Sequence, residues 1–355
     1  MNVTFLIGNG FDLRLGMKTR FTDMYEGYVS QPPSSDAISN FKKMLKADAP
    51  EYKTWGDFEM AMAQKAKDFG EEKIFIECLR DFKIYMAECL RQEQAAFKRK
   101  VFASSRQVRE RCAAEFSNSI DNFYVGLTPN AMNEFMGLGV ADHPSYNFVS
   151  FNYTDVFDVL LNHVRPIDEV IHVHGRLDAE IVLGADNLAQ VKDLPYQTTK
   201  RFERAFIKPE FNRGYDSVRT EKAIAAIENS DIICIYGMSL GESDFSWVTK
   251  LKEWLLSDRN HHLVRFVFDQ RSFNKLNWDE IIDEEEDRIA ELLGTLCNSG
   301  EEMGHIFNQI HIPVSYDLFG LNRIMLDEQA KKDEEDKRKE EMRKRLSEER
   351  ERVLP

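Results

Sequence analysis

Apolar positions along this chain follow two different periods. VTFLI (Val3–Ile7), NFVSF (Asn147–Phe151), VIHVH (Val170–His174), IVL (Ile181–Leu183), DIICIY (Asp231–Tyr236) and LVRFVF (Leu263–Phe268) are short runs rich in β-branched and aromatic residues. Each predicts a buried strand. Between about Ile38 and Tyr124 the period changes. Phe75, Cys78, Leu79, Phe82, Tyr85, Met86, Cys89 and Leu90 recur at steps of three and four, the stripe of a helix packed on a core. Helical patterns also fall between the later strands, at Glu221–Glu228 and Phe245–Leu256. Strands alternating with helices predict an α/β fold with an open, mostly parallel sheet covered on both faces. Gln31-Pro-Pro-Ser-Ser35 marks a break after the first strand and its loop. The expected organisation is a sheet core from residues 1–30 and 140–325, a helical insertion over 31–139, and a charged C-terminal helix or tail over 326–355.

That last stretch differs in kind. From Leu326 to Arg352 it carries ten basic and eleven acidic side chains without apolar periodicity, which predicts a solvated helix of modest stability. The whole chain of 355 residues has a formal net charge of −14, which argues against binding driven by nucleic-acid phosphates. Its five cysteines, Cys78, Cys89, Cys112, Cys234 and Cys297, include no C-x-x-C pair. They read as reduced thiols, with neither a disulfide framework nor a zinc ribbon. No basic leader precedes the first apolar run, and no stretch reaches the roughly 18 apolar residues of a membrane span. A cytoplasmic protein without membrane contact is the expectation.

The first strand runs at once into Gly8-Asn9-Gly10-Phe11-Asp12. Two glycines one residue apart allow a tight turn and a close approach of backbone N–H groups to a ligand. A following helix would aim its N-terminus at the same spot. This is the opening of a Rossmann-like sheet, although Leu13 stands where the third glycine of G-x-G-x-x-G belongs and no Gly-Lys-Ser/Thr follows. A tight βα turn without ligand satisfies the same pattern. The other strand ends are also small or polar. Asn152, Tyr153, Thr154 and Asp155 follow NFVSF, His174-Gly175 ends VIHVH, Gly237-Met-Ser239-Leu-Gly241 follows DIICIY, and Asp269 follows LVRFVF. Ligands of open α/β sheets bind outside the carboxyl ends of strands, so these groups are expected to share one crevice.

The residue types suit cleavage of the N-glycosidic bond between nicotinamide and ribose, which develops an oxocarbenium-like centre. His174 would be the base near neutral pH. Asn152 would hold a ribose hydroxyl or the attacking water without adding charge. Gly8, Gly10 and the Gly237–Gly241 loop would offer backbone donors to phosphate.

In chain order, FLIGNGFD, SFNYTDVFD, HVHG and IYGMSLGESD resemble the abortive-infection AbiH family of bacterial phage-defence proteins, and Trp55-Gly-Asp57-Phe58-Glu59 fits the same pattern. That family is in turn similar to the sirtuin-like group of NAD-using enzymes. The resemblance implies a sirtuin-like core that takes NAD as substrate. It places the cofactor loop on Gly8 and Gly10, the ribose contact on Asn152, the catalytic base on His174 beside Gly175, and Ser239 in a loop that contacts cofactor phosphate or ribose. Asn9, Phe11, Asp12, Asp155, Gly237 and Asp269, at the same strand ends, complete the expected cofactor contacts, although Phe11 and Asp12 stand where the sirtuin-like loop has a small hydroxyl residue. The resemblance also implies a phage-derived trigger or a homo-oligomer as partner. Sirtuin deacylases carry a four-cysteine zinc module after the His-Gly pair, yet no cysteine lies between Cys112 and Cys234. Hydrolysis of NAD to nicotinamide and ADP-ribose is therefore the expected reaction, with no metal.

Other readings stay open at this point. The same crevice would serve a sensing module that binds NAD or ADP-ribose without turnover. His172 and His174 would share a strand face and, with Asp155 or Asp186, would serve a metal-dependent hydrolase or nuclease. Asn152 would cap a helix starting at Tyr153. Asp12, Asp155 and Asp244 also suit helix caps, Asp57 and Glu59 suit a charged helix face, and Lys208 is an isolated cation that suits a phosphate or the surface.

Overall fold

Five of the six strand signals resolve into one sheet. The computed structural model describes residues 1–47, 58–166, 168–215, 217–267, 278–294, 296–297, 299–313 and 318–353. Its strands are β1 (Asn2–Ile7), β2 (Ser145–Ser150), β3 (Val170–His172), β4 (Ile232–Tyr236), β5 (His262–Phe266) and β6 (Ile310–His311), in the spatial order β3-β2-β1-β4-β5-β6. Every pairing is parallel, with Phe5 opposite both Phe148 and Cys234 at the centre. Helices cover both faces, so the central strands are apolar without alternation. β4 is buried at every position.

The side-chain period of two divides these strands between two cores. Val3, Phe5 and Ile7 of β1 join Ile232, Cys234 and Tyr236 of β4 on one face. The helices Arg106–Asp121 and Val156–Val164 cover that face with Phe116, Ile120, Phe157 and Leu161. Leu6 joins Ile233 and Ile235 on the other, under Ala223, Ile227, Trp247, Leu251 and Trp254.

A third core lies beside the sheet. From Gly10 to Gly137 every described element is helical. Met24, Tyr28, Phe41, Phe58, Phe75 and Phe82 pack with Leu177, Ile181, Leu183, Phe202 and Phe206. Phe58 stacks on Phe82 with ring centroids 4.0 Å apart. The 32-residue helix Glu72–Ala103 carries the stripe read from the sequence and spans two cores: Phe75, Phe82, Met86 and Leu90 belong to this third core, Phe97 to the sheet.

One strand expectation is corrected, and one strand was not anticipated. Ile181–Leu183 forms no strand. Ile181 makes a single antiparallel bridge to Gly175, and its apolar side chains fill the third core. β6 was not anticipated because it is two residues long and closely precedes Pro313. The charged C-terminal stretch continues a helix that starts earlier, Leu321–Val353. Leu321 and Met325 are buried with Phe319 against the sheet, whereas Leu326 is 54% exposed. Among the described residues no helix is long and apolar enough to cross a membrane.

Candidate active site

The direction of chain progress reverses between β1 and β4, and the carboxyl ends of the strands open there on a cleft of about 810 Å³. That volume is in the range of small-molecule sites. Gly8, Asn9, Gly10 and Asp12 after β1, Asn152 after β2, His174 after β3, and Gly237 and Ser239 after β4 all line it. Three other candidates do not. Phe11 is fully buried among Phe116, Phe157 and Phe319 and is a core residue. Asp155 pairs with Lys98 at 2.7 Å. Gly175 has φ +77°, and a Cβ there would fall 1.9 Å from the Glu180 carbonyl oxygen, so a turn requires it. Asp269 lies outside the described residues, as do Trp55, Gly56 and Asp57.

The two leading glycines answer to protein rather than to ligand. A Cβ on Gly8 would meet Met238 Cα at 2.4 Å, and one on Gly10 would meet Gly237 Cα at 2.5 Å. The Gly8 N–H donates to the Tyr236 carbonyl at 2.9 Å and the Gly10 N–H to the Gly237 carbonyl at 2.8 Å. The loops after β1 and β4 are thus pressed together, and these two donors are spent inside the chain. Gly10→Val is expected to lower stability by about 3 kcal/mol, the upper end for overpacking, because backbone atoms cannot step aside. Urea unfolding without ligand checks this; an unchanged midpoint would show that the loops separate easily.

Asp12 and Asn152 stand side by side at the floor. Thr154 donates its hydroxyl to Asp12 Oδ2 at 2.6 Å, while Oδ1 is buried without a partner among the described residues. Burial pushes Asp12 up to about 7, against the lowering effect of Thr154 and the nearby Asn152 amide. Between pH 4 and 7 the folded state then holds a proton that the unfolded state has released, so stability falls as pH rises through that window. Asp12→Asn keeps an acceptor for Thr154 and mimics the protonated form. Its stability relative to the parent is expected to grow from near zero at pH 4 to on the order of 4 kcal/mol at pH 8, taking about 1.36 kcal/mol per pKa unit. Unfolding curves at the two pH values test this, and parallel pH profiles for both proteins would refute it.

Asn152 is not a helix cap, because the following helix is Val156–Val164 with Asp155 at its N-cap. Its carbonyl accepts from His172 Nδ1 at 3.0 Å, and the other His172 nitrogen meets Asp158 at 2.9 Å. The carboxamide Oδ1 and Nδ2 are buried without partners among the described residues. His172 therefore holds the backbone that presents Asn152, and the H-x-H pair does not converge on a metal. His174 turns instead to a different carboxylate.

That carboxylate is Asp244, whose Oδ1 lies 3.0 Å from His174 Nε2. The same oxygen accepts from Lys208 Nζ at 2.9 Å, and Lys208 also donates to Glu59 Oε2 at 2.8 Å and to the Ser243 carbonyl at 2.9 Å. Glu59 Oε1 accepts the Gly184 N–H at 2.9 Å. All four side chains border the cleft, and His174, Lys208 and Glu59 are at most 8% exposed. Burial raises Asp244, but the Lys208 ammonium and His174 outweigh it and hold the carboxyl well below its ordinary value. Burial pulls Lys208 down, and its two carboxylates more than restore it. One ammonium serves two acids, so burial pushes Glu59 up to about 7. Burial and the nearby ammonium lower His174. At neutral pH His174 is uncharged. An ionised Asp244 only accepts, so it assigns the proton to Nε2 and leaves Nδ1 as a bare lone pair, buried and without a partner among the described residues.

This arrangement is a neutral imidazole base oriented by a carboxylate, with a carboxamide and a second acid beside it. A model of the family described as bacteriophage abortive infection AbiH matches residues 4–266. The chain belongs to the AbiH family. No curated protein and no solved structure matches it. The AbiH match encloses all the cleft-lining groups named above, and it ends at the last residue of β5.

Sequence reasoning did not join Glu59, Lys208 and Asp244 in this AbiH chain. Lys208 lies 149 positions from Glu59 and 36 from Asp244, and no local pattern marks a lysine as buried. It also missed Arg265, a cationic position within the apolar run of β5. Arg265 donates to Glu285 Oε1 at 2.8 Å at the cleft wall, and burial lowers its pKa against that carboxylate. Asn9 is structural in part: Thr19 donates to its Oδ1 at 2.6 Å.

Proposed function

We propose that this AbiH-family protein acts in phage defence by hydrolysing NAD at the nicotinamide–ribose bond, on a sirtuin-like, Rossmann-like core. The observation that carries the reading is the meeting in one cleft of three buried groups without hydrogen-bond partners among the described residues: His174 Nδ1, the Asn152 carboxamide and Asp12 Oδ1. Buried polar atoms without partners are rare, and a bound polar molecule is one thing that satisfies them. The strand order β3-β2-β1-β4-β5-β6 is that of doubly wound dinucleotide-binding sheets, whose ligands sit at the reversal point that the cleft occupies.

On this reading Asn152 orients a ribose hydroxyl or the attacking water, and His174 Nδ1 accepts a proton as charge develops at the anomeric carbon. Asp244 stabilises the imidazolium that forms, and Lys208 keeps Asp244 ionised before that moment. The N–H groups of Gly8 and Gly10 are already engaged, so the pyrophosphate falls to Arg14 and Arg20, which line the cleft. Phe21, Met24, Met86 and Leu90 offer an apolar wall to a base or ring.

Product analysis tests this directly. Purified protein incubated with NAD is expected to release nicotinamide and ADP-ribose in equal amounts. Thermal protection by NAD without products would replace the enzyme with a sensing module. Neither products nor protection would remove NAD from the cleft altogether.

A further inference from the structure

At the opposite end of the sheet from the cleft, three side chains meet that the reading above leaves unused. His262 begins β5, and His311 ends β6, the neighbouring strand. His262 Nδ1 lies 3.0 Å from His311 Nε2. Glu134, in the helix Pro129–Gly137, brings a carboxylate oxygen so that one ligand atom from each residue lies within 4.8 Å of the others. We propose that Glu134, His262 and His311 bind a divalent transition-metal ion, best matched by Zn²⁺.

The geometry argues for this in three ways. Nitrogens on a tetrahedral zinc stand about 3.3 Å apart if each bond is about 2.0–2.1 Å. The two imidazole nitrogens are already close to that spacing, and a small parting would aim both lone pairs at one point. Next, the rings are held in place. Phe135 follows Glu134 in sequence and packs at 5.1 Å from the His262 ring and 5.2 Å from that of His311. Finally, Glu134 is exposed on its helix, so a rotamer change brings its carboxylate to the ion at little cost. Two imidazoles and one carboxylate suit zinc and its neighbours rather than Mg²⁺ or Ca²⁺, which require oxygen donors. Water would complete the fourth position.

No metal was expected from the sequence, and only His172 and His174, which end a strand two positions apart, were weighed as a histidine pair for one. His262 also falls at a strand end, and His311 sits on the strand that escaped notice. An ion here would join a two-residue edge strand to its neighbour and to the helix before β2, acting as a structural clip. This site is independent of the NAD reading.

The test uses the full chain, stripped with a chelator and titrated with Zn²⁺ against a chromophoric competitor. One ion per chain is expected, with a raised unfolding midpoint through preferential binding to the folded state. Co²⁺ in its place should give the strong visible absorption of a tetrahedral site. His311→Ala is expected to weaken binding by more than about 100-fold, beyond the 10–100-fold seen for outer-shell losses. Glu134→Gln, on an exposed helix position, should fold normally and weaken binding less, while His174→Ala should leave the stoichiometry unchanged. Failure of the parent to bind Zn²⁺ would overturn the proposal. So would full affinity in both the His311 and the Glu134 variants, which would reduce the pair to a hydrogen bond packed on Phe135.

Discussion

Lys208→Ala is expected to destabilise the protein by about 3–5 kcal/mol, the range for breaking a buried ion pair from one side. The loss comes mainly from what remains. Asp244 and Glu59 would stay buried with no cation between them, and His174 would be left to neutralise Asp244 by taking a proton. The deficit should depend on pH in a definite sense. Glu59 already sits near 7, so acid relieves it by protonation. The gap from the parent should be smaller at pH 5 than at pH 8. Replacing Lys208 by Met together with Glu59→Gln should recover part of the loss, because it removes charges in pairs. Urea unfolding measures all of these. An unchanged midpoint in Lys208→Ala would mean that water reaches the network and solvates both acids.

If the cleft hydrolyses NAD as proposed, His174→Ala is expected to lower that activity by on the order of 10²–10⁴-fold, the usual worth of a positioned base. The fold should survive, since Asp244 keeps Lys208 as partner and the lost ring borders the cleft. The parent's kcat/KM should hold its value down through the ordinary histidine range and fall only at more acid pH, because burial and Lys208 lower His174. Asn152→Ala should reduce kcat more than it raises KM if the amide acts on the transition state. The decisive measurement is nicotinamide release by the His174 variant: a rate equal to the parent's would take the base role away from this residue.

Much of the sheet was legible because its central strands are buried on both faces. Uninterrupted apolar runs such as VTFLI and IICIY leave little choice of element. The same cue misled at Ile181–Leu183, where an equally apolar run fills a helical core as a loop. Burial alone does not distinguish the two. The meeting of strand ends was also legible, since parallel topology sends every carboxyl end to one side. What presses on Gly8 and Gly10 was not. Glycine reports that something lies too close for a side chain, without reporting whether that something is a phosphate or the backbone of Gly237 and Met238. The Glu59–Lys208–Asp244 contact was hidden for another reason. Each residue alone has an ordinary surface explanation, and only the tertiary fold removes it from water.

The helix Glu72–Ala103 contributes Met86 and Leu90 to the cleft wall, while Phe97 further along is fastened beneath the sheet. At about 1.5 Å per residue it is a rod near 48 Å long, with no break to act as a hinge. A wall tied to the sheet by such a member keeps its distance from the strand ends, like the jaw of a fixed gauge rather than that of a clamp. Selection among ligands would then occur at entry, by width. A molecule that fits would pay little reorganisation free energy, and one slightly too thick would be refused instead of accommodated.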